Sequence, residues 1–251
     1  MKKLLTHVCL CLFLGTTVSE AQEQSDASDL NVLYRRESAW GAKLHTQGFG
    51  LNYYIGLHKT ADLKRVYKIE FVTMNHPKEV KSINPFFENA KSYKFGKLNY
   101  AGLLRASYGH VKTLNFKPFM GGVDVRYFYD IGLNAAILKP VYLSILYPTD
   151  VPYRYTVSDE KYDPDLHGIE RIYGRASFFR GFDDLKLYPG ISGRVGFSFE
   201  YGSQASVVRA LSLGVALDAY LRNVPIMAFE QNTNYFATLF VGFHFGSREF
   251  Y

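Results

Sequence analysis

From Trp40 to Phe245 the chain repeats one pattern: apolar residues alternate with small or polar ones in eight separate segments. Alternation at period two puts successive side chains on opposite faces of a pleated strand, so each segment reads as a strand with one apolar and one mixed face. The segments run over 38–46, 49–58, 66–74, 97–108, 123–134, 191–201, 211–218 and 235–246. The fifth is the clearest, setting Val123, Val125, Tyr127, Tyr129, Ile131 and Leu133 against Asp124, Arg126, Phe128, Asp130, Gly132 and Asn134; it extends toward Leu138, with an end or bend at Lys139-Pro140. The fourth is mixed, because Ala101 and Leu103 share a face with Asn99, Arg105 and Ser107. With 20 Phe, 20 Tyr and 21 Gly among 251 residues, the composition also favours pleated sheet with tight bends over helix. No segment after the N-terminus approaches the roughly 18 apolar residues that a spanning helix needs.

The N-terminus reads as an export signal. Lys2 and Lys3 precede an apolar run over 8–14, and Ser19-Glu20-Ala21 offers small residues two apart, so cleavage is expected after Ala21 with a lead over 22–37. Cys9 and Cys11 both lie inside that apolar run, so the mature chain is expected to form no disulfide, which suits a bacterial envelope protein. The formal net charge of +6 is as compatible with anionic lipid or acidic sugar as with anything else, and for an exported chain it gives no reason to expect nucleic acid.

Two architectures bury alternating strands: a soluble sandwich or barrel with its apolar face inward, and a membrane barrel with that face toward lipid. Three features favour the second. The apolar faces carry large aromatics on nearly every strand, often near strand ends, as interfacial girdles do. The opposite faces combine glycine with both signs of charge, which suits a narrow interior where space is short and ions must pair. Connections also alternate between shorter ones (59–64, 109–118, 202–207) and longer ones (75–96, 147–186, 221–232), the turn near 47–48 excepted. The expected fold is therefore all-β: an up-and-down antiparallel transmembrane β-barrel of eight strands over 38–251, both ends in the periplasm and two long extracellular loops.

The export signal, the eight alternating strands and the aromatic C-terminus Phe250-Tyr251 resemble the small outer-membrane β-barrels of Gram-negative bacteria. The segments HTQGFGLNYYIG, NHPKEVKSINPFFENAKSYKFGKLNY and NVPIMAF are similar to a Bacteroidota-type barrel family related to the OmpA transmembrane domain, with no settled activity. The resemblance implies a cell-outer-membrane location, outer-membrane lipid as surroundings, and handling by barrel-assembly machinery, for which the terminal aromatic is similar to the signal read; Ser247-Arg248-Glu249 stands before it as a spacer. The peptidoglycan-binding domain of larger OmpA-type proteins is absent from the pattern.

Candidate functional residues fall into two groups. Arg105, Asp124, Arg126, Arg194, Glu200 and Asp218 lie on mixed faces and are expected to pair as ions filling a closed interior, since eight strands leave room only for side chains and unpaired buried charge is costly. Phe86, Phe87, Tyr153, Tyr155, Tyr162, Phe178 and Phe179 lie in the two longest connections, where exposed rings mark recognition surfaces and a cluster of packed rings would instead form a lid. The expected role is structural or interactive, through those loops, without enzymatic activity and without a cofactor or metal; other envelope proteins are the candidate partners. Two other readings stand beside it: an accessory subunit of a secretion, uptake or barrel-assembly complex, and a lipid-modifying barrel enzyme. For the enzyme, His45 and the pair His244 and Ser247 are the candidates, but 244 and 247 fall on opposite faces of a regular strand. Asp159, Glu160, Asp163 and Asp165 read as a solvated acidic loop, since their spacing fits no complete calcium loop.

Overall fold

The computed structural model describes residues 36–87, 89–116, 122–150, 154–202 and 206–249. The expected signal segment, Tyr153 and Phe250-Tyr251 lie outside them. Eight antiparallel strands close into one barrel: β1 (Arg36–His45), β2 (Gly48–His58), β3 (Leu63–Met74), β6 (Asn99–Asn115), β7 (Asp124–Pro140), β11 (Lys186–Glu200), β12 (Val207–Tyr220) and β13 (Tyr235–Glu249). Each pairs with its predecessor among these eight, and β13 pairs with β1 through ten matched positions, from Arg36↔Glu249 to His45↔Phe240. Closure satisfies every strand on both sides and leaves no open edge. Residues 247–249, expected as a spacer, continue β13, because β1 begins at Arg36 and supplies pairing partners that far down.

Alternation sorts the side chains as the pattern requires. On β7 the even positions Asp124, Arg126, Phe128, Asn134, Ala136 and Leu138 are buried inside, whereas Tyr129, Ile131 and Leu133 stand exposed on the outer wall. The other strands repeat this, so that Trp40, Leu51, Ile69, Ile191, Leu217 and Leu239 add to an exposed apolar wall around the barrel. The interior is layered. Toward one end, Val72, Met74, Leu103, Ala136 and Leu138 form an apolar layer, joined by Ile226 and Met227 from the 221–234 connection. This layer explains the mixed fourth segment: Ala101 and Leu103 face the apolar mouth, and Arg105 and Ser107 face the charged zone below it.

Close backbone approach places the glycines. Gly196 of β11 and Gly214 of β12 are cross-strand partners, and a Cβ on either would lie 2.8–2.9 Å from the tip of a ring, Phe128 at Gly196 and Phe240 at Gly214. Those two rings lie on the bare glycine backbones, 6.3 Å apart, and fill the bore.

The connection expected to be irregular over 147–186 carries two strands, β9 (Tyr155–Lys161) and β10 (Ile172–Arg175), which flank β8 (Tyr142–Pro148) in a small sheet of order β10-β8-β9, and β4 (Lys81–Ser82) pairs with β5 (Tyr93–Lys94) in the 75–98 connection. Pro140 ends β7, and the chain turns out of the barrel at Val141, whose N–H donates to Leu98 O (2.9 Å). Among the described residues there is no α-helix, only a single 3-10 turn at Ile169–Arg171.

Filling the bore at Gly196 should destabilise the barrel. Gly196→Leu must displace Phe128 or the Leu213 carbonyl and is expected to cost about 1–3 kcal/mol, read as a lower temperature of heat-induced loss of the compact gel band. Gly193→Leu on the same strand, where a Cβ meets nothing within 4 Å, should leave that temperature nearly unchanged.

Candidate functional site

Two charged networks occupy the bore, one above the other. In the upper, Glu70 on β3 accepts hydrogen bonds from Lys43 Nζ (2.6 Å) and from the guanidinium groups of Arg105 and Arg194. Arg105 turns its other edge to Asp218 in a two-bond fork, Nε to Oδ1 at 2.9 Å and Nη2 to Oδ2 at 2.6 Å. Arg194 donates to Asp130 Oδ1 (2.8 Å) and Ser107 Oγ (2.7 Å), and Asn134 donates to Asp218 Oδ1 (2.7 Å). Three cations thus meet three carboxylates: Lys43, Arg105 and Arg194 against Glu70, Asp130 and Asp218.

The lower network repeats this balance at the short-turn end. Glu37 accepts from Lys64 Nζ (2.8 Å), Tyr54 OH (2.7 Å) and Arg248 Nε (3.0 Å). Arg248 also donates to Glu200 at 2.5 and 2.6 Å, and Arg126 bridges Glu200 to Asp124 (2.9 Å to the latter). Lys64, Arg126 and Arg248 face Glu37, Glu200 and Asp124. Between the two networks, Lys68 points its ammonium toward the rings of Tyr54 and Phe128, 5.8 and 5.7 Å from their centres. The space left beside it, bordered by His244 and Ser212, is about 50 Å³, room for a water or two rather than a channel.

The structure brings all six sequence-derived charges into these networks, Arg105, Arg194 and Asp218 above, Asp124, Arg126 and Glu200 below. Sequence reasoning did not single out the residues on which the networks converge. Glu70 and Lys43 were legible as mixed-face positions of clean strands. Glu37 and Arg248 were not, because the alternation of β1 and β13 fades into polar termini where only their mutual pairing marks them as strand.

Above the apolar layer, the longer connections form an ordered cap. Leu98 N–H donates to Ile226 O (2.9 Å), Ala228 N–H to Gly96 O (2.7 Å) and Val141 N–H to Leu98 O (2.9 Å), stitching three connections together, and Tyr162 N–H donates to Val141 O (2.8 Å) within the longest of them. Tyr93, Val141, Leu143, Ile145, Tyr162 and Ile172 form its core. Tyr162, read from the sequence as a recognition ring, is only 4% exposed: it is a packing residue of the cap, because the β8–β9 sheet folds over it. Phe87 packs edge-on against Tyr155 and Tyr173, at 6.1 and 5.4 Å between ring centres. Phe86, Phe178 and Phe179 remain exposed. Nor is the acidic stretch simply solvated: Asp159 accepts from Ser144 Oγ (2.7 Å) and Glu160 from Tyr147 OH (2.9 Å), tying β9 to β8. Among the described residues no group of three or more His, Cys, Asp or Glu is placed to hold a metal. His244 is buried in the bore with its ring 5.5 Å from Tyr54, whereas Ser247 lies on the other face of β13.

Glu79 anchors the cap, accepting from Lys97 Nζ (2.6 Å), from Lys94 and from His76 N (2.9 Å). Burial alone would raise its carboxyl, but the hydrogen bonds from Lys94 and Lys97 outweigh that and hold it below its ordinary 4.5. A depressed carboxylate stabilises the fold above its unfolded value and loses that contribution as pH falls through its folded value. Hydrogen exchange over 75–98 should therefore quicken as pH drops below about 4.5, after correction for intrinsic rates, and Glu79→Gln should remove most of that dependence. In the bore, Glu70→Gln leaves three cations facing two carboxylates, and about 3–5 kcal/mol of stability should be lost in denaturant unfolding. Adding Arg194→Gln restores the count and should recover part of it, a coupling that a double-mutant cycle measures.

No protein-family model and no curated protein matches the sequence. Solved structures similar to the chain are outer-membrane barrels. Ail, the attachment invasion locus protein of Yersinia pestis, aligns over 85% of this chain and 97% of its own at 8% identity and a TM-score of 0.40. Neisserial surface protein A aligns over 85% and 95% at 10% identity and 0.40. The N-terminal β-barrel domain of Pseudomonas aeruginosa OprF aligns over 83% and 96% at 10% identity and 0.34.

Proposed function

We propose that the protein is an integral outer-membrane barrel, not an enzyme, that acts as a scaffold presenting its cap for contact with other envelope molecules. One observation carries the membrane part: the polarity is inverted. Large apolar side chains stand exposed around the wall, Trp40 at 69% and Leu133 at 72%, while arginines and glutamates fill the bore. In water such a wall would be an aggregation surface, since soluble proteins rarely expose contiguous apolar patches beyond a few hundred Å². In a bilayer it is the solvent-matched face, and the buried ions are sheltered from lipid by the sheet itself.

The interior supports a scaffold rather than a pore, because balanced ion pairs and paired rings leave almost no free path. The cap supports a contact role. Its backbone is ordered by its own sheets, so its surface is presented in a fixed shape. On that surface Phe86 and Leu166 stand 83% and 66% exposed, with no packing task in the cap core. Exposed apolar side chains on a rigid frame are the usual anchors of recognition.

Single cysteines along 212–217 test the membrane reading. Positions 213, 215 and 217 should react with a lipid-soluble reagent, and 212, 214 and 216 should resist it; uniform labelling would refute a membrane barrel. Val215→Arg should cost roughly 2–4 kcal/mol if it lies near the bilayer midplane. For the cap, Phe86→Ser with Leu166→Ser should leave insertion and heat resistance intact and abolish co-purification of partners in mild detergent; unchanged co-purification would refute the contact role.

A further inference from the structure

Outside the bore, one cavity gathers positive charge that no carboxylate among the described residues pairs with. It lies where residues 176–182 fold back over the outer side of the β6–β7 pair, has a volume of about 250 Å³, and is lined by Lys91, Tyr100, Lys139, Tyr142, Arg175 and Phe178. Tyr100 and Lys139 are cross-strand partners and alternate with the inward residues Ala101 and Leu138, so both project from the outer side of the wall at its rim. The Lys139 ammonium donates to the carbonyls of Phe178 (2.8 Å) and Arg180 (2.9 Å) and sits over the rings of Phe178, Phe182 and Tyr100, 4.7–5.2 Å from their centres. Carbonyls and ring faces hold the cation in place without cancelling its charge. Lys91 and Arg175 stand exposed at the same cavity and form no ion pair among the described residues. Their closeness is built in: a Cβ at Gly174 would meet Lys91 O at 2.6 Å, so only glycine lets the 91 backbone lie against β10 beside Arg175.

Both ion-pair networks inside the barrel match three cations to three carboxylates, with Lys68 held between them over ring faces; at the rim cavity no described carboxylate pairs with the cations, and the position of the cavity says what would balance them. Directly below, the outward side chains Ile137 and Leu187 are cross-strand partners on the apolar wall, and Phe178, Phe179 and Phe182 project beside the cavity. Cations above an apolar wall match an amphiphile with a negative head and apolar tails. We propose that this rim cavity holds the phosphate group of an anionic membrane lipid, with Lys91, Lys139 and Arg175 around the phosphate and the acyl chains lying along Ile137 and Leu187. Lys139 and Tyr100 supply the fixed floor, and Lys91 and Arg175 the two movable donors. The inference rests on the barrel being membrane-spanning.

The test uses the full chain refolded in mild detergent and then mixed with vesicles. Flotation with phosphatidylcholine vesicles reports insertion, and native mass spectrometry after extraction from phosphatidylcholine–phosphatidylglycerol vesicles reports which lipid is retained. The wild type should retain phosphatidylglycerol preferentially. Lys91→Gln with Arg175→Gln, which leaves the Lys139 contacts in place, should lower that preference about twenty-five-fold, roughly fivefold per cation removed. Lys112→Gln, an exposed cation at the opposite end of the barrel, should not change it. Flotation without any phosphatidylglycerol preference, or a preference that survives the double substitution, would overturn the headgroup site alone. Failure to float would overturn the membrane barrel and this site with it. Displacement of the lipid by inorganic phosphate as readily as by short-chain phosphatidylglycerol would mark a free-anion site and overturn the lipid assignment.

Discussion

Closing eight strands into a ring leaves a bore only wide enough for side chains, and that geometric limit governs what each inward position can be. The bore excludes bulk water, so an ionised group there needs a hydrogen-bonded partner or, as for Lys68, facing aromatic rings, and it excludes surplus volume, so the Phe128 and Phe240 rings lie against bare backbone. Both conditions are met by pairs of neighbours around the ring. Glu70 gathers Lys43, Arg105 and Arg194 from three other strands, and Phe128 and Phe240 lie over Gly196 and Gly214. Removing a member of either set leaves the rest without an alternative arrangement, because a closed sheet cannot slide to supply one.

The same limit separates the two ends of the molecule. At the short-turn end the bore closes on charge, with Glu37, Lys64, Arg126, Glu200 and Arg248 joining five strands of the ring and so binding β13 to β1 by side chains as well as backbone. At the other end it closes on apolar contact, where Ile226 and Met227 pack down onto Val72 and Leu103. An apolar closure is what allows a cap to sit there: Leu98, bonded to Ile226 and Val141, passes the order of the barrel rim into the connections above it. The cap is thus an extension of the strand ends rather than a set of independent loops.

Charge treatment differs inside and outside in a way that organises function. Inside, cations and carboxylates match three against three in each network, which is what a buried structural filling requires. At the rim, Lys139 is held by carbonyls and ring faces, and Lys91 and Arg175 stand beside it without an acidic partner among the described residues.

Much of the barrel was legible in the residues themselves. Strict alternation with large apolar side chains on one face dictates a strand and tells which positions share a side, so Arg105, Arg126, Arg194 and Asp218 could be assigned to one face before any partner was known. Where alternation failed, so did the reading. The run Leu143–Leu146 in β8 is buried without period two, since the cap packs on both its faces, and Tyr162 was indistinguishable from an exposed loop ring because its burial comes from residues far along the chain. Glu37 and Arg248 sit in polar stretches that become strand only by pairing with each other's strand. The sequence by itself determined strand number, facing and the presence of an ionic interior, because those follow from local period and residue type. Only the tertiary structure decided which charge meets which, where the bore closes and which cations remain open at the rim, because those depend on register around a closed ring and on chain segments that meet only after it has closed.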